Sequence, residues 1–308
     1  MKPLVAVKAF LAITFWGASF VATKIALREA SPLTVIVLRF ALGLGVLVLI
    51  AAARREFMLP QPGDLGWLVL LGLNGITVHQ LLQANGLVTT SATNSGWIVA
   101  LIPIFSALLA WLMLREPFGR LKILGLALAT GGALLVISRG QLGGGLLHIP
   151  ATPGDFLMLL SSLNWALFTV LSKRMMGKLS PTLMVTYVMI FGWLAVLPLW
   201  AGARGWLDLP HLTAAGWGSV LFLGLLCSGV AYAFWYDALA VAGATQVATF
   251  LYLEPIVTVI VAASLIGEAV TWATLVGGAI ILVGVWLVNR RETVEVRPRE
   301  RVDSRREI

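Results

Sequence analysis

Residues 246–268 read QVATFLYLEPIVTVIVAASLIGE. At 1.5 Å per residue this tract can cross a bilayer core of roughly 30 Å, yet Glu254 and Pro255 sit about 12 Å inside it. A carboxylate at that depth is costly, so its default reading is functional. A step of 152 residues toward the N-terminus takes Glu254-Pro255 to Ile102-Pro103, inside NSGWIVALIPIFSALLAWLMLRE (94–116), and takes Glu268 to Glu116. The element occurs twice.

The rest of the chain shares its character. Over 308 residues, 59% are hydrophobic and only 12% charged, with a mean hydropathy of +0.93. A soluble domain carries about 25% charged residues, so these values indicate an integral membrane protein. Hydrophobic runs predict an all-α chain of ten spans near 7–27, 33–53, 65–88, 94–114, 121–138, 154–174, 181–201, 213–239, 246–266 and 270–289. The first is expected to be a retained span, not a cleaved signal. Between Arg139 and Asp155 lie Gly143-Gly144-Gly145 and Pro150, a hinge-like connection. After Asn289 the mixed-charge tail lacks an apolar face and is expected to be disordered. Its interleaved acids and absent aromatics argue against a nucleic-acid partner.

With the N-terminus inside, seventeen lysines and arginines fall on inner segments and three, Arg28, Arg139 and Arg204, on outer ones. Positive residues are retained in the cytoplasm, so both termini are expected there. Trp16, Lys24 and Ser31-Pro32 recur as Trp165, Lys173 and Ser180-Pro181 at an offset of 149. Farther on, Gly72, Ala92-Thr93, Pro103 and Gly125 recur as Gly224, Ala244-Thr245, Pro255 and Gly277 at an offset of 152. A three-residue length change near 54–64 joins the two registers. Each half then has five spans, and an odd number inserts the second half upside down, the arrangement of transporters that alternate between two access states.

The residues resemble the drug/metabolite transporter superfamily in its ten-span, EamA-like form. The resemblance covers about 7–289 and rests on Trp16-Gly17, Arg39-Phe40, Pro103 and Pro255, and the segments LREPFGRLKILGLALATGG and IGEAVTWATLVGGAIILVG. Within the superfamily the chain looks most like the YddG-type exporters of aromatic and other amino acids. Ala166 and Val188 stand where the second half would repeat Gly17 and Arg39. The resemblance implies a first repeat over 1–140, a loop over 141–153, a second repeat over 154–289 and a cytoplasmic tail over 290–308. It also implies a plasma-membrane (cell inner membrane) location and export of amino acids or similar small metabolites.

Polar and aromatic positions inside spans nominate the site. Glu254 is assigned to a substrate ammonium or to a proton. His79 and Gln83 share a helix face bordered by Gln80, and such a stripe belongs against a cavity or other helices, away from lipid. Trp16 and Trp165 are exchanged by the repeat near mid-span and are read as cavity walls, together with Phe20, Trp97, Tyr232 and Phe250. Asn94 and Gln246 are expected to add polar contacts, and Pro103 and Pro255 to act as hinges. Lys24 and Lys173 read as snorkelling anchors, Asp237 as a solvated residue and Arg39 as structural. The cavity is expected between spans one, three, four, six, eight and nine. The small residues Gly125, Ala129 and Ala133, with Ala273 and Gly277, predict close packing of spans five and ten, within one chain or across a homodimer.

An intramembrane enzyme needs a nucleophile with its base, or metal ligands. The histidines are His79, His148 and His211, without an HExxH motif, and Cys227 has no histidine near it in sequence. No catalytic residue, metal or cofactor is therefore expected; the competing reading is an uncoupled facilitator or channel for drugs or metabolites such as nucleobases. The topology has a direct check. Single cysteines placed in 54–64 and in 174–180, in a Cys227→Ser background, are expected to react with an impermeant maleimide from the same face of the membrane.

Overall fold

The computed structural model describes residues 2–114, 119–141, 151–175, 177–242, 247 and 249–289. Gln246 and most of the connection 141–153 lie outside the described residues, as does the tail 290–308. Among the described residues, nine helices are long and apolar enough to cross a membrane, and a tenth is shorter. They are α1 (Pro3–Ala26), α2 (Pro32–Ala53), α3 (Pro62–Thr89), α4 (Ala92–Met113), α5 (Arg120–Ile137), α6 (Pro153–Ser172), α7 (Pro181–Gly202), α8 (Ala214–Val241), α9 (Phe250–Ile266) and α10 (Trp272–Asn289). Among the described residues there is no strand.

Local chemistry explains where these helices start. Pro32 and Pro181 occupy first-turn positions, where a missing N–H costs nothing, and the preceding Ser31 and Ser180 accept from the N–H groups of Thr34 and Leu183. The repeat governs helix limits as well as residues. Both ends of α2 and α7 differ by 149, and both ends of α3 and α8, and of α5 and α10, differ by 152. Irregularities recur too. A π-helical stretch interrupts α3 at Leu73–Val78 and α8 at Phe222–Val230. The helix of α4 ends at Val99 and restarts at Ile102, and in α9 a 3-10 turn over Thr249–Leu253 passes into α-helix at Glu254. Pro103 and Pro255 each sit second in the restarted segment, so they break their spans cleanly instead of kinking them.

Glycines set the closest approaches. A Cβ on Gly125 would lie 2.5 Å from the Gly284 carbonyl oxygen, and one on Gly132 would lie 2.6 Å from that of Gly277. The order reverses along the two chains, so α5 and α10 run antiparallel, and each contact is the repeat image of the other. The small-residue face is thus used within the chain. Gly72 likewise meets the Val188 carbonyl of α7, and Gly224 meets that of Arg39 in α2. Around the perimeter, apolar side chains such as Leu49, Ile260 and Leu265 are exposed, the surface a lipid environment requires.

Two polar residues differ from their sequence reading. Asp237 is ion-paired, 2.6 Å from Lys8 Nζ and 2.7 Å from Arg54 Nη1, which ties α1, α2 and α8 together at the face where α1 begins, here called the near face. Lys24 does not snorkel. It donates to the carbonyls of Leu87 and Thr90, closing the C-terminal end of α3 at the far face, because those carbonyls have no partner within their helix. At that face Glu29 accepts from Thr213 N and Oγ1 at 2.8 Å each, and these bonds hold its carboxyl below the usual range.

The α5–α10 seam makes a sharp prediction. Gly132→Leu should lower the melting temperature of detergent-purified protein markedly, since overpacking costs about 1–3 kcal/mol or more. Gly131→Leu, where a Cβ meets nothing within 4 Å, should be nearly silent.

Candidate functional site

The breaks in α4 and α9 face each other across the middle of the molecule. Gly17 of α1 lets α9 approach closely: a Cβ there would lie 2.8 Å from the Glu254 carbonyl oxygen. Thr258, one turn beyond, donates through Oγ1 to the carbonyls of both Gly17 and Glu254 at 2.9 Å, and packs on Gly96 of α4. The start of the restarted helix is therefore pinned on two sides. This geometry carries the Glu254 side chain into a central cavity.

The empty space there is about 820 Å³ when its open mouth is included. Every predicted cavity span contributes, and α2 and α10 join them through Arg39 and Val285. Trp16, Phe20, His79, Gln83, Trp165, Tyr232, Glu254 and Pro103 all line it. The aromatic wall is built by stacking. Trp16 lies 5.4 Å from both Tyr232 and Trp235, ring centre to ring centre, and Trp165 lies 4.6 Å from His79 and 4.9 Å from Phe168. Trp16 Nε1 is satisfied by the carbonyl of Cys227, which the π-helical stretch of α8 presents at 3.0 Å. His79 Nδ1 lies 3.2 Å from the Ser161 carbonyl and 3.1 Å from the Ser161 hydroxyl, which tie α3 to α6.

Three predicted residues are not cavity lining. Asn94 is buried at the start of α4, where its amide donates to Asp155 at 3.2 Å. Trp97 turns the other way and fills the space over Gly278 of α10, where a Cβ would collide with its ring at 2.3 Å. Phe250 packs with Val5, Ala9 and Ala238 near the near face. In each case the residue belongs to the right span and the wrong side of it. Pro255 is buried beside the cavity, and Gln246 lies outside the described residues.

Arg39 is the principal addition. Its guanidinium, 5% exposed, donates from Nε to Ser228 Oγ at 3.1 Å and from Nη1 to Gln80 Oε1 at 3.3 Å. Both partners are neutral. Its sequence position allowed an anchor that reaches the surface; the signal for a cavity role is its alignment with Gln80, which only the packing of α2 on α3 reveals. Asp155 is the second addition. It is 1% exposed and accepts from Thr90 Oγ1, from Asn94 Nδ2, and from Thr152 N and Oγ1 at 2.8 and 2.9 Å.

These bonds close one end of the cavity. At the far face Asp155 joins α6 to the α3–α4 turn, Lys24 joins α1 to the same turn, and Glu268 accepts from the N–H groups of Ala92 and Thr93 at 2.9 Å. Beneath them Phe20, Leu87, Ile98, Val99, Met158 and Ala262 form a continuous apolar plug. Toward the near face, among the described residues, Val5, Ala9, Ala238, Ala242 and Val247 form an apolar cluster with Phe250 packed against it.

The EamA-like transporter family matches residues 4–138 and again 152–290. An uncharacterized transporter of Archaeoglobus fulgidus is 29% identical over 92% of this chain and 96% of its own length. A protein of Streptantibioticus cattleyicolor described as a probable terminal-alkyne amino-acid exporter is 29% identical over 91% of this chain and 92% of its own. A crystal structure at 17% identity superposes with a TM-score of 0.65, covering 94% of this chain and 99% of that one, which shows a shared fold.

The Asp155 cluster predicts a graded loss of stability. Asp155→Ala strands several buried donors and should lower the melting temperature by more than Asn94→Ala, which removes one donor, at about 1–3 kcal/mol per stranded group.

Proposed function

Because this chain belongs to the EamA-like transporter family, we propose that it exports amino acids, aromatic and other apolar or small ones, or similar small metabolites by alternating access through the central cavity. The observation that carries this reading is a central cavity lined by both matched segments, with its far end bridged by Asp155, Lys24 and Glu268. The antiparallel, self-imaging contact of α5 with α10 supports two inverted five-helix repeats, which can exchange conformations and so exchange the open end. The excess of lysine and arginine on near-face segments supports a cytoplasmic near face and a plasma-membrane location. A permanently open channel fits poorly with the Asp155, Lys24 and Glu268 closures.

Amino acids are favoured over sugars or multivalent anions by the wall of Trp16, Trp165 and Tyr232 beside few charges. The Streptantibioticus relative adds the same substrate class at 29% identity. Reconstituted in proteoliposomes, the protein should exchange labelled phenylalanine or leucine against unlabelled solute, with Trp16→Ala and Trp165→Ala reducing exchange about tenfold or more. Trp97→Ala, outside the cavity, should lower stability while leaving half-saturation unchanged. Absence of exchange for every amino acid in a full panel would remove the substrate assignment.

A further inference from the structure

We propose that Arg39 and Glu254 are the two poles of one site that selects solutes bearing a carboxylate and an ammonium on the same molecule. Arg39 receives the carboxylate and Glu254 the ammonium. The inference rests on the transport reading and adds the polarity of the bound solute and the residues that read it.

Both side chains line the same cavity, yet no ion pair joins them. A buried opposite-charge pair kept for structure is expected in direct contact, since separation leaves each charge desolvated without compensation. Here the neighbours of Arg39 are Ser228 and Gln80, which orient it without neutralising it, and its Nη2 has no hydrogen-bond partner among the described residues. Phe40 lies against the guanidinium at 5.1 Å, fixing its plane. An oriented guanidinium with an unused edge suits a planar carboxylate. On the same cavity, Glu254 is held by its backbone through Thr258 and Gly17, and no described residue donates to its carboxylate. Among the described residues the remaining titratable groups on the cavity are His79, Tyr232 and Tyr252, none of which is a carboxylate able to pair with Arg39 or a fixed cation able to pair with Glu254.

A zwitterion completes both poles at once. A solute with a single charge leaves the other pole unpaired in a desolvated site, and sites built to bind a polar group reject analogues lacking it strongly. The aromatic side chains lining the same cavity then take the apolar side chain of the solute. The second repeat has Val188 in place of Arg39 and the first has Ile102 in place of Glu254, so the axis points one way only.

The test compares phenylalanine, its methyl ester and 3-phenylpropionate, each read by its half-maximal stabilisation of the detergent-purified full-length protein against heat. The wild type should favour phenylalanine over either analogue at least about tenfold. Arg39→Gln should erase the preference over the ester, and Glu254→Gln the preference over 3-phenylpropionate. Each ratio is taken within one protein, so a general loss of stability cancels. If Arg39→Gln yields no folded protein, the wild-type panel and Glu254→Gln decide alone. Equal affinity of the wild type for all three, or an unchanged 3-phenylpropionate ratio in Glu254→Gln, would overturn the two-pole site while leaving proteoliposome exchange, and so transport, standing. Exchange of no solute at all would instead remove the function on which it rests.

Discussion

A hydrocarbon interior gives an unpaired backbone group no water to turn to, so a span can stop being helical only where protein or a cavity receives its loose ends. Everything central in this molecule follows from two such stops. The helix of α4 lapses after Val99 and that of α9 begins only at Glu254, each followed at once by a proline that forbids repair. Val99, Ala100 and Ile102 on one side, and Leu251, Tyr252 and Glu254 on the other, are consequently cavity lining. Thr258 supplies a hydroxyl to the carbonyl at the second stop. The cavity, the carboxylate it holds and the glycine contacts around it form one solution to one problem.

Much of this is legible in sequence because lipid imposes length and composition directly. The ten spans, the two offsets and the glycine face of α5 and α10 were all readable as patterns. What pattern cannot supply is rotation about a helix axis near a break. Asn94 and Trp97 precede the interruption in α4, where a helical phase taken from one half misplaces the other, and Phe250 lies in the 3-10 turn of α9, where three residues per turn replace 3.6. Trp16, His79 and Gln83 were easier, since their neighbours repeat them or share their face. Lys24 was misread because a long cationic side chain near a span end always has a snorkelling solution on paper, and only neighbouring carbonyls reveal another.

The two halves share a frame and divide the chemistry. His79, Gln80 and Gln83 of α3 correspond to Ala231, Tyr232 and Trp235 of α8, so one wall offers polar groups where its image offers rings. Asp155 at the far face corresponds to Ala6, so the carboxylate that fastens α6 to the α3–α4 turn has no image in the first half.

The seam between α5 and α10 looks identical from either half, because Gly125 meets Gly284 as Gly277 meets Gly132. A joint with that property survives any rearrangement that swaps the shapes of the two halves. If the halves exchange shapes as proposed, this joint is the fulcrum around which the remaining helices rock, its backbone-to-backbone grip unbroken.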